Sequence, residues 1–397
     1  MILGKDFKFI DLFAGIGGFY QAMIKMGGRC VYASEIEKKT AETYFDNYGI
    51  RAYSDITKED INKIPDHDVL CAGFPCQSFS MAGKQNGFND DRGILFMNIV
   101  SILKSKKVTS EMPKILVLEN VRNLISHDRG KTWVRIRTEI RNCGYNIVDR
   151  PLVLSPFDFD IPQSRERALI FAIRDDICMK RIVLEFPKKQ RNKTSAYKIL
   201  EHKKVADNYY LSDYEKYALS VWDDFIKGIK EKVIGFPIWS DCFFNTIDTS
   251  SFPAWKKRFV DKNIALYLNN KEFIDMWYAK NDNLRILKPT DRKFEWQAGT
   301  HIKSVFQGIV QFRPSGIRVK RPTEFPSLVA MVHVPIIGKY KRYITPREAA
   351  RLQSFPESFR LPTSDRLAYQ QFGNAVNVEV IYRSFCAFLK FVEEEQK

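Results

Sequence analysis

Two groups of residues have the types and spacing that chemistry requires. The first is the thiol of Cys76 within Gly73-Phe74-Pro75-Cys76-Gln77-Ser78-Phe79-Ser80. The preceding Asp68-Val69-Leu70-Cys71-Ala72 is a short apolar run bounded by turn residues, which reads as a buried strand feeding a loop. Pro75 fixes its own φ and restricts Phe74, and Gly73 allows close backbone approach, so a thiol can be aimed without ordering a long flexible chain. A cysteine placed in this way is a candidate nucleophile, although a lone cysteine at such a junction is more often a small buried hydrophobe.

The second group begins with the strand-like run from Lys8 to Phe13, which leads through Ala14-Gly15-Ile16-Gly17-Gly18 into a helical segment ending near Met26. A second strand, Arg29 to Ser34, ends in Glu35. Strand, glycine loop, helix and a later acid also make up the dinucleotide fingerprint, but the third glycine of that pattern is replaced here by Tyr20. Glycines at 15, 17 and 18 let backbone amides approach a small anion at a helix N-terminus. Glu35 can accept hydrogen bonds from both hydroxyls of a ribose, Asp55 from an adenine amino group, and Phe13 can offer an aromatic face. Each also has a plain structural alternative: a packing glycine turn, a solvated acid, a turn cap. Jointly they describe a site for adenosine joined to an amino acid, which is S-adenosylmethionine.

These residues need a scaffold, and the chain supplies the pattern for one. Further strands are expected near 68–72, 114–118, 146–154 and 168–173, with helices near 38–48, 94–104 and 132–142. That alternation implies an α/β fold, a Rossmann-like, doubly wound and mostly parallel sheet with ligands at the strands' carboxyl ends. The alternation stops near 183, after which a basic linker (188–193) leads into a smaller, irregular second domain. Regularity returns at Thr345-Pro346-Arg347-Glu348, whose spacing is that of a capping box. Val380, Ile381, Phe385, Phe388, Leu389 and Val392 lie in one stripe of a final helix, expected to pack back on the first domain. The expected division is therefore 1–182, 183–344 and 345–397.

Composition narrows the class. The 397 residues carry a formal net charge of +16, which suits a polyanion, with nucleic acid the leading candidate. No run approaches the roughly 20 apolar residues of a membrane span, and the first residues lack the order of a secretion signal, so a soluble cytoplasmic protein is expected. The seven cysteines contain no CxxC pair and the five histidines no metal-binding spacing, so neither a disulfide framework nor a metal is expected.

Six segments, in order, closely resemble the motifs of bacterial DNA cytosine-5 methyltransferases. They are Asp11-Leu12-Phe13-Ala14-Gly15-Ile16-Gly17-Gly18, the Cys76 octapeptide, Glu119-Asn120-Val121, Gln163-Ser164-Arg165-Glu166-Arg167, Arg347-Glu348-Ala349-Ala350-Arg351-Leu352-Gln353-Ser354-Phe355-Pro356 and Gln371-Phe372-Gly373-Asn374-Ala375-Val376. The resemblance implies the S-adenosylmethionine-dependent methyltransferase fold, with a target-recognition domain between the fourth and fifth motifs. It implies S-adenosylmethionine as cofactor, S-adenosylhomocysteine as product and no metal, with Ile56 and Asn374 joining Phe13, Gly15, Gly17, Gly18, Glu35 and Asp55 around the cofactor. Cys76 would add to carbon 6 of cytosine and so make carbon 5 nucleophilic toward a methyl group. Glu119 would hold nitrogen 3 and the exocyclic amine, Arg165 would contact oxygen 2 and help fix Glu119, and Arg167 would support it. Because a thiol cannot reach carbon 6 inside a stacked duplex, the base must be flipped out.

The resemblance further implies double-stranded DNA as partner. Gln77, Ser80, Lys84 and Arg92 stand in or beside a mobile loop that closes over the base, and Arg313, Arg318 and Lys320, interleaved with Phe312 and Pro314, contact DNA. A monomer in a restriction-modification system, beside an independently acting endonuclease, is the expected setting. Two departures from the family pattern are Ile36, where an aromatic often follows the acid, and Ser327-Leu328, where threonine-leucine is usual. The alternatives are a tRNA cytosine-5 methyltransferase, an inactive DNA-binding regulator and, disfavoured by Tyr20, a nicotinamide enzyme.

Overall fold

The computed structural model describes residues 2–75, 93–184, 186, 194–230, 234–244, 248–328 and 333–395. Cys76, Gln77, Ser80, Lys84 and Arg92 lie outside the described residues, as does the basic stretch 188–193. The chain divides into two compact units, Met1–Gln190 with Ala349–Lys397, and Arg191–Glu348.

In the first unit, β1 (Lys8–Leu12), α1 (Gly18–Lys25), β2 (Arg29–Ser34), α2 (Lys38–Tyr48), β3 (Val69–Ala72), α3 (Gly93–Val108), β4 (Ile115–Val121) and α4 (Lys131–Asn142) alternate as expected. The region expected to hold one strand over 146–154 instead contains β5 (Tyr145–Ile147) and β6 (Leu152–Leu154). Pro151, which has no N–H to donate, stands in the gap. The two-residue β7 (Gln163–Ser164) precedes the long β8 (Arg167–Arg174). The sheet order is β2-β1-β3-β4-β8-β5, with β6 also on β8. β2, β1, β3 and β4 run parallel, whereas β8 is antiparallel to β4 and β5 and β6 are antiparallel to β8. One sheet edge therefore carries the carboxyl ends of β1 to β4 together with the amino end of β8. β3 and the first part of β4 are buried at every position, the continuous apolar pattern of strands covered on both faces.

The second unit contains α5 (Asp213–Gly228), β9 (Ile238–Trp239), α6 (Ala254–Asn269), α7 (Lys271–Lys280), β10 (Lys293–Gln297), β11 (Ile309–Arg313), β12 (Gly316–Lys320), β13 (Phe325–Pro326), β14 (Ile336–Ile337) and β15 (Arg342–Tyr343). The stretch read from sequence as irregular thus has its own six-stranded sheet, in the order β15-β14-β11-β12-β10-β9. Strands of two residues are too short to show period-two alternation, which is why the sequence concealed them. Trp222, Phe225, Trp277 and Phe294 lie at the centre of this unit's apolar core.

α8 (Pro346–Leu352), α9 (Asp365–Asn374) and α10 (Val378–Glu395) follow. α8 starts on the expected capping box: Thr345 N–H donates to Glu348 Oε2 at 2.9 Å, and Glu348 N–H donates to Thr345 Oγ1 at 3.2 Å. α10 buries Val380, Ile381, Phe385, Phe388 and Val392, and the Phe388 ring stacks on Phe171 of β8 with centroids 5.0 Å apart. Each such side chain contributes about 2 kcal/mol by leaving water. The final helix thus covers the sheet of the first unit.

Candidate active site

The parallel strands bring the glycine loop and Glu35 together. Gly15 N–H donates to Glu35 Oε2 at 2.9 Å, and Glu37 N–H donates to Glu35 Oε1 at 2.8 Å. Burial, opposed by these backbone donors, raises the Glu35 pKa above its ordinary value. The three loop glycines turn out to do different things. A Cβ on Gly15 would meet no atom of the described residues within 4 Å, so among them this position faces open space. A Cβ on Gly17 would lie 2.3 Å from the Tyr48 ring, and one on Gly18 would lie 2.5 Å from the Val376 carbonyl oxygen. Gly17 and Gly18 are therefore required by packing, and Gly15 is the one that leaves room for a ligand. Phe13, half-buried at the end of β1, has φ of 55°, a left-handed conformation that a bulky residue adopts only when its surroundings hold it there.

Asp55 is brought beside Glu35 because Ser54 N–H donates to the Glu35 carbonyl at 3.0 Å. Its Oδ1 accepts from Thr57 N–H at 3.1 Å and Thr57 Oγ1 at 2.7 Å, so it also serves as the turn cap that was its structural alternative. Ile56 is buried, whereas Ile36 is 66% exposed and Tyr53 63% exposed at the same strand ends. Asn374 is exposed at the end of α9.

The second cluster forms where β4 and β8 pair. Val121 is opposite Arg167, which places Glu119, two residues back on the same face, diagonal to Arg167. Arg167 Nε lies 3.0 Å from Glu119 Oε1. Burial pushes the Glu119 pKa up, and the charges of Arg167 and then Arg165 pull it down, with a net rise. Arg165 is buried, and its guanidinium donates to the carbonyls of Gly373 at 2.8 Å and Ala375 at 3.1 Å. Arg167 thus forms an ion pair with Glu119, while Arg165 ties its guanidinium to the segment around Asn374 and its charge also bears on Glu119. Cross-strand register decides this, and register cannot be read from the order of residues within one motif.

Gly73 closes the cluster. A Cβ on it would be 3.9 Å from Glu119 Oε2 and 3.6 Å from Val376 Cγ1. Asn120 Nδ2 donates to the carbonyl of Phe74 at 3.1 Å, holding the residue before Pro75. The start of the Phe-Pro-Cys segment therefore lies against the carboxylate of Glu119. A small cavity beside the Arg167–Glu119 pair is bordered by Glu119, Arg165, Arg167, Val376 and Asn377, with an apolar side that includes Leu154 and Ile381.

Comparison with known proteins decides the family. Residues 7–389 match the family model described as C-5 cytosine-specific DNA methylase. The chain belongs to that family. It is a cytosine-5 DNA methyltransferase. Among its relatives, the Type II methyltransferase M.NlaX of Neisseria lactamica is 35% identical over 381 residues, covering 94% of this chain and 94% of the relative. The Type II methyltransferase M.HhaI of Haemophilus parahaemolyticus is 31% identical over 374 residues, covering 94% of this chain and 91% of the relative. The crystal structure of the S. pombe Dnmt2 methyltransferase shares the fold with a TM-score of 0.55 at 18% identity, over 97% of this chain and 98% of that one.

Within this methyltransferase, the residues that sequence reasoning missed are those acting through backbone or packing: Val376, the carbonyls of Gly373 and Ala375, and Asn120. Each lies inside a quoted motif, so the motif marked the segment without revealing the contact. In the second unit, Arg313 ends β11, Arg318 lies within β12 and Lys320 ends it. Phe312, which alternates with Gln311 and Arg313 along β11, packs against the unit's apolar core, because strand neighbours point to opposite faces.

Proposed function

We propose that this methyltransferase modifies a cytosine flipped out of a specific double-stranded DNA sequence, through a covalent bond between Cys76 and carbon 6, as the modification enzyme of a Type II restriction-modification system. The system assignment rests on relatives named Type II methyltransferases that match this chain over more than nine-tenths of its length. The observation that carries the chemistry is the Arg167–Glu119 pair with Gly73 packed beside it. That arrangement sets a carboxyl whose pKa is raised by burial next to the segment that leads toward Cys76.

In this reading Cys76 attacks carbon 6, and Glu119, its proton affinity raised by burial, donates toward nitrogen 3 as electrons move onto the ring. Carbon 5 then acts as an enamine nucleophile and bonds the methyl group; loss of the carbon 5 proton to a base, expulsion of the Cys76 thiolate and return of the nitrogen 3 proton to Glu119 restore the aromatic ring. Arg165 contacts oxygen 2, and Arg167 keeps Glu119 in place. Gln77, Ser80, Lys84 and Arg92 close over the flipped base, and Arg313, Arg318 and Lys320 contact the duplex.

The site at β1 and β2 fits S-adenosylmethionine, since Gly15 leaves open space beside a carboxylate and Ile36 presents an exposed apolar face next to it. Glu35 would hold the ribose, Asp55 and Ile56 the adenine, and Phe13, Gly15, Gly17, Gly18 and Asn374 the remainder, with S-adenosylhomocysteine as product. When bound, the cofactor supplies an electrophilic methyl group.

Incubation of the purified chain with methyl-labelled cofactor and either duplex DNA of varied sequence or bulk tRNA tests the assignment. Label in cytosine of duplex DNA is the expected result. Label in tRNA alone would overturn it, and no incorporation into any duplex would leave a DNA-binding regulator as the better reading.

A further inference from the structure

One face of the second unit's sheet carries a row of polar side chains. β10 and β12 run parallel with Glu295 opposite Arg318, and β11 and β12 run antiparallel with Gln311 opposite Arg318. Arg313 faces Gly316 across the β11–β12 pair and so joins the same face. The alternate residues Phe294, Val310, Ile317 and Val319 point into the core. Among the described residues each arginine is held by one acceptor: Arg313 donates to Glu295 and Arg318 donates to Gln311. Glu295 also accepts from Gln297, and Gln311 donates to the His333 carbonyl at 3.0 Å.

Two features make this row more than a solvated strand face. The guanidinium groups are under-satisfied, because Nε of both Arg313 and Arg318 is buried without a hydrogen-bond partner among the described residues. They are also neighbours with Glu295 as their shared counter-charge, and burial together with the charge of Arg313 lowers the Arg318 pKa from its ordinary value. Such a pair gains from a further acceptor. The nature of that acceptor follows from the mixed signs. A carboxylate in the row opposes a phosphodiester, whereas the edges of base pairs offer donors and acceptors side by side. Fixed guanidinium planes on rigid strands suit bidentate recognition of O6 and N7 of guanine.

We propose that this face reads bases, that Arg313 and Arg318 each recognise a guanine, and that Glu295 and Gln311 are positioning residues that set the two guanidinium planes. The assignment rests on the DNA-methylating function above and narrows its target to sequences with G·C pairs beyond that of the methylated cytosine.

The test is methylation of a randomised duplex library, read by bisulfite sequencing, with the wild-type enzyme and Arg318→Lys, Arg313→Lys, Glu295→Gln and Gln311→Ala. The wild type is expected to require guanine at fixed positions outside the target pair. Each lysine variant should accept other bases at one such position, with discrimination there falling about tenfold or more. Glu295→Gln should relax the position read by Arg313, and Gln311→Ala the one read by Arg318. The salt dependence of DNA binding should keep its slope, because charge is preserved in the lysine variants.

A consensus with only A·T pairs outside the target pair would overturn the proposal. So would lysine variants with wild-type specificity alongside Arg→Ala variants that are uniformly slower and whose salt slope is lower by about one, which is the signature of phosphate contact. For a variant without turnover, binding to the consensus duplex is compared with binding to a guanine-substituted duplex, and retained discrimination counts against it. Absence of methylation by the wild type would instead sink the functional assignment on which the proposal stands.

Discussion

Arg167 and Glu119 meet across the β4–β8 pair, with Nε 3.0 Å from Oε1. Arg167 is the larger of the two cationic influences that restrain the burial-driven rise of the Glu119 pKa. Replacing it with alanine should raise that pKa further and move the limb of the kcat–pH profile that reports Glu119 to higher pH, while Arg167→Lys keeps it near the wild-type position. Since the folded-state pKa lies above the ordinary 4.5, the carboxyl's contribution to stability is full below that value and is lost as pH rises through the folded pKa. Removing this part-buried partner of a buried carboxyl should also cost about 3 kcal/mol. Steady-state profiles and thermal melting across pH check both parts.

The glycine loop separates packing from ligand space. Gly18→Ala places a methyl 2.5 Å from the Val376 carbonyl and should cost about 2 kcal/mol or more of stability. Gly15→Ala meets no atom of the described residues but takes on a left-handed φ of 56°, a cost of about 1 kcal/mol. Its methyl would enter the proposed cofactor space, so affinity for S-adenosylmethionine should fall about tenfold or more. Calorimetric titration and melting of the two variants distinguish these effects, and wild-type affinity in Gly15→Ala would contradict the placement of the cofactor.

Asn120 holds the Phe74 carbonyl at 3.1 Å, one residue before Pro75. Asn120→Ala frees the approach to Cys76, so kcat should fall about tenfold or more while KM for DNA stays close to wild type. A change confined to KM would place Asn120 outside the positioning of the thiol.

His67 is a stability probe remote from the chemistry. Burial holds its pKa down at about 4, against an ordinary 6.5, although Nδ1 lies 2.8 Å from the Pro65 carbonyl. A depressed folded-state pKa means its contribution is present above pH 6.5 and is lost as pH falls toward about 4, a loss of roughly 3 kcal/mol. Urea unfolding of the wild type and His67→Asn across this window should show the wild-type decline and a flatter variant.

Much of this was legible in the sequence because local physics carried it. Continuous apolar runs fixed β3 and β4, Thr345 and Glu348 marked the start of α8, and the spacing from Val380 to Val392 gave the buried stripe of α10. What could not be read depends on partners distant in the chain. The antiparallel placement of β8, and with it the meeting of Arg167 and Glu119, is a property of register. The packing roles of Gly17 and Gly18 require Tyr48 and Val376, which no motif spacing reveals. The second unit's sheet stayed hidden because three of its strands, β9, β14 and β15, span two residues each.

The central claim is that Cys76 forms a bond to carbon 6 of the target cytosine. Duplex DNA containing 5-fluorocytosine at the methylated position, incubated with the enzyme and S-adenosylmethionine, tests it most directly, because fluorine cannot leave carbon 5 as a proton does. A denaturation-resistant protein–DNA adduct is expected, mapped to Cys76 by peptide mass spectrometry and missing in Cys76→Ala. An adduct of equal yield in Cys76→Ala, or none in a wild-type enzyme that methylates the unfluorinated duplex, would contradict it.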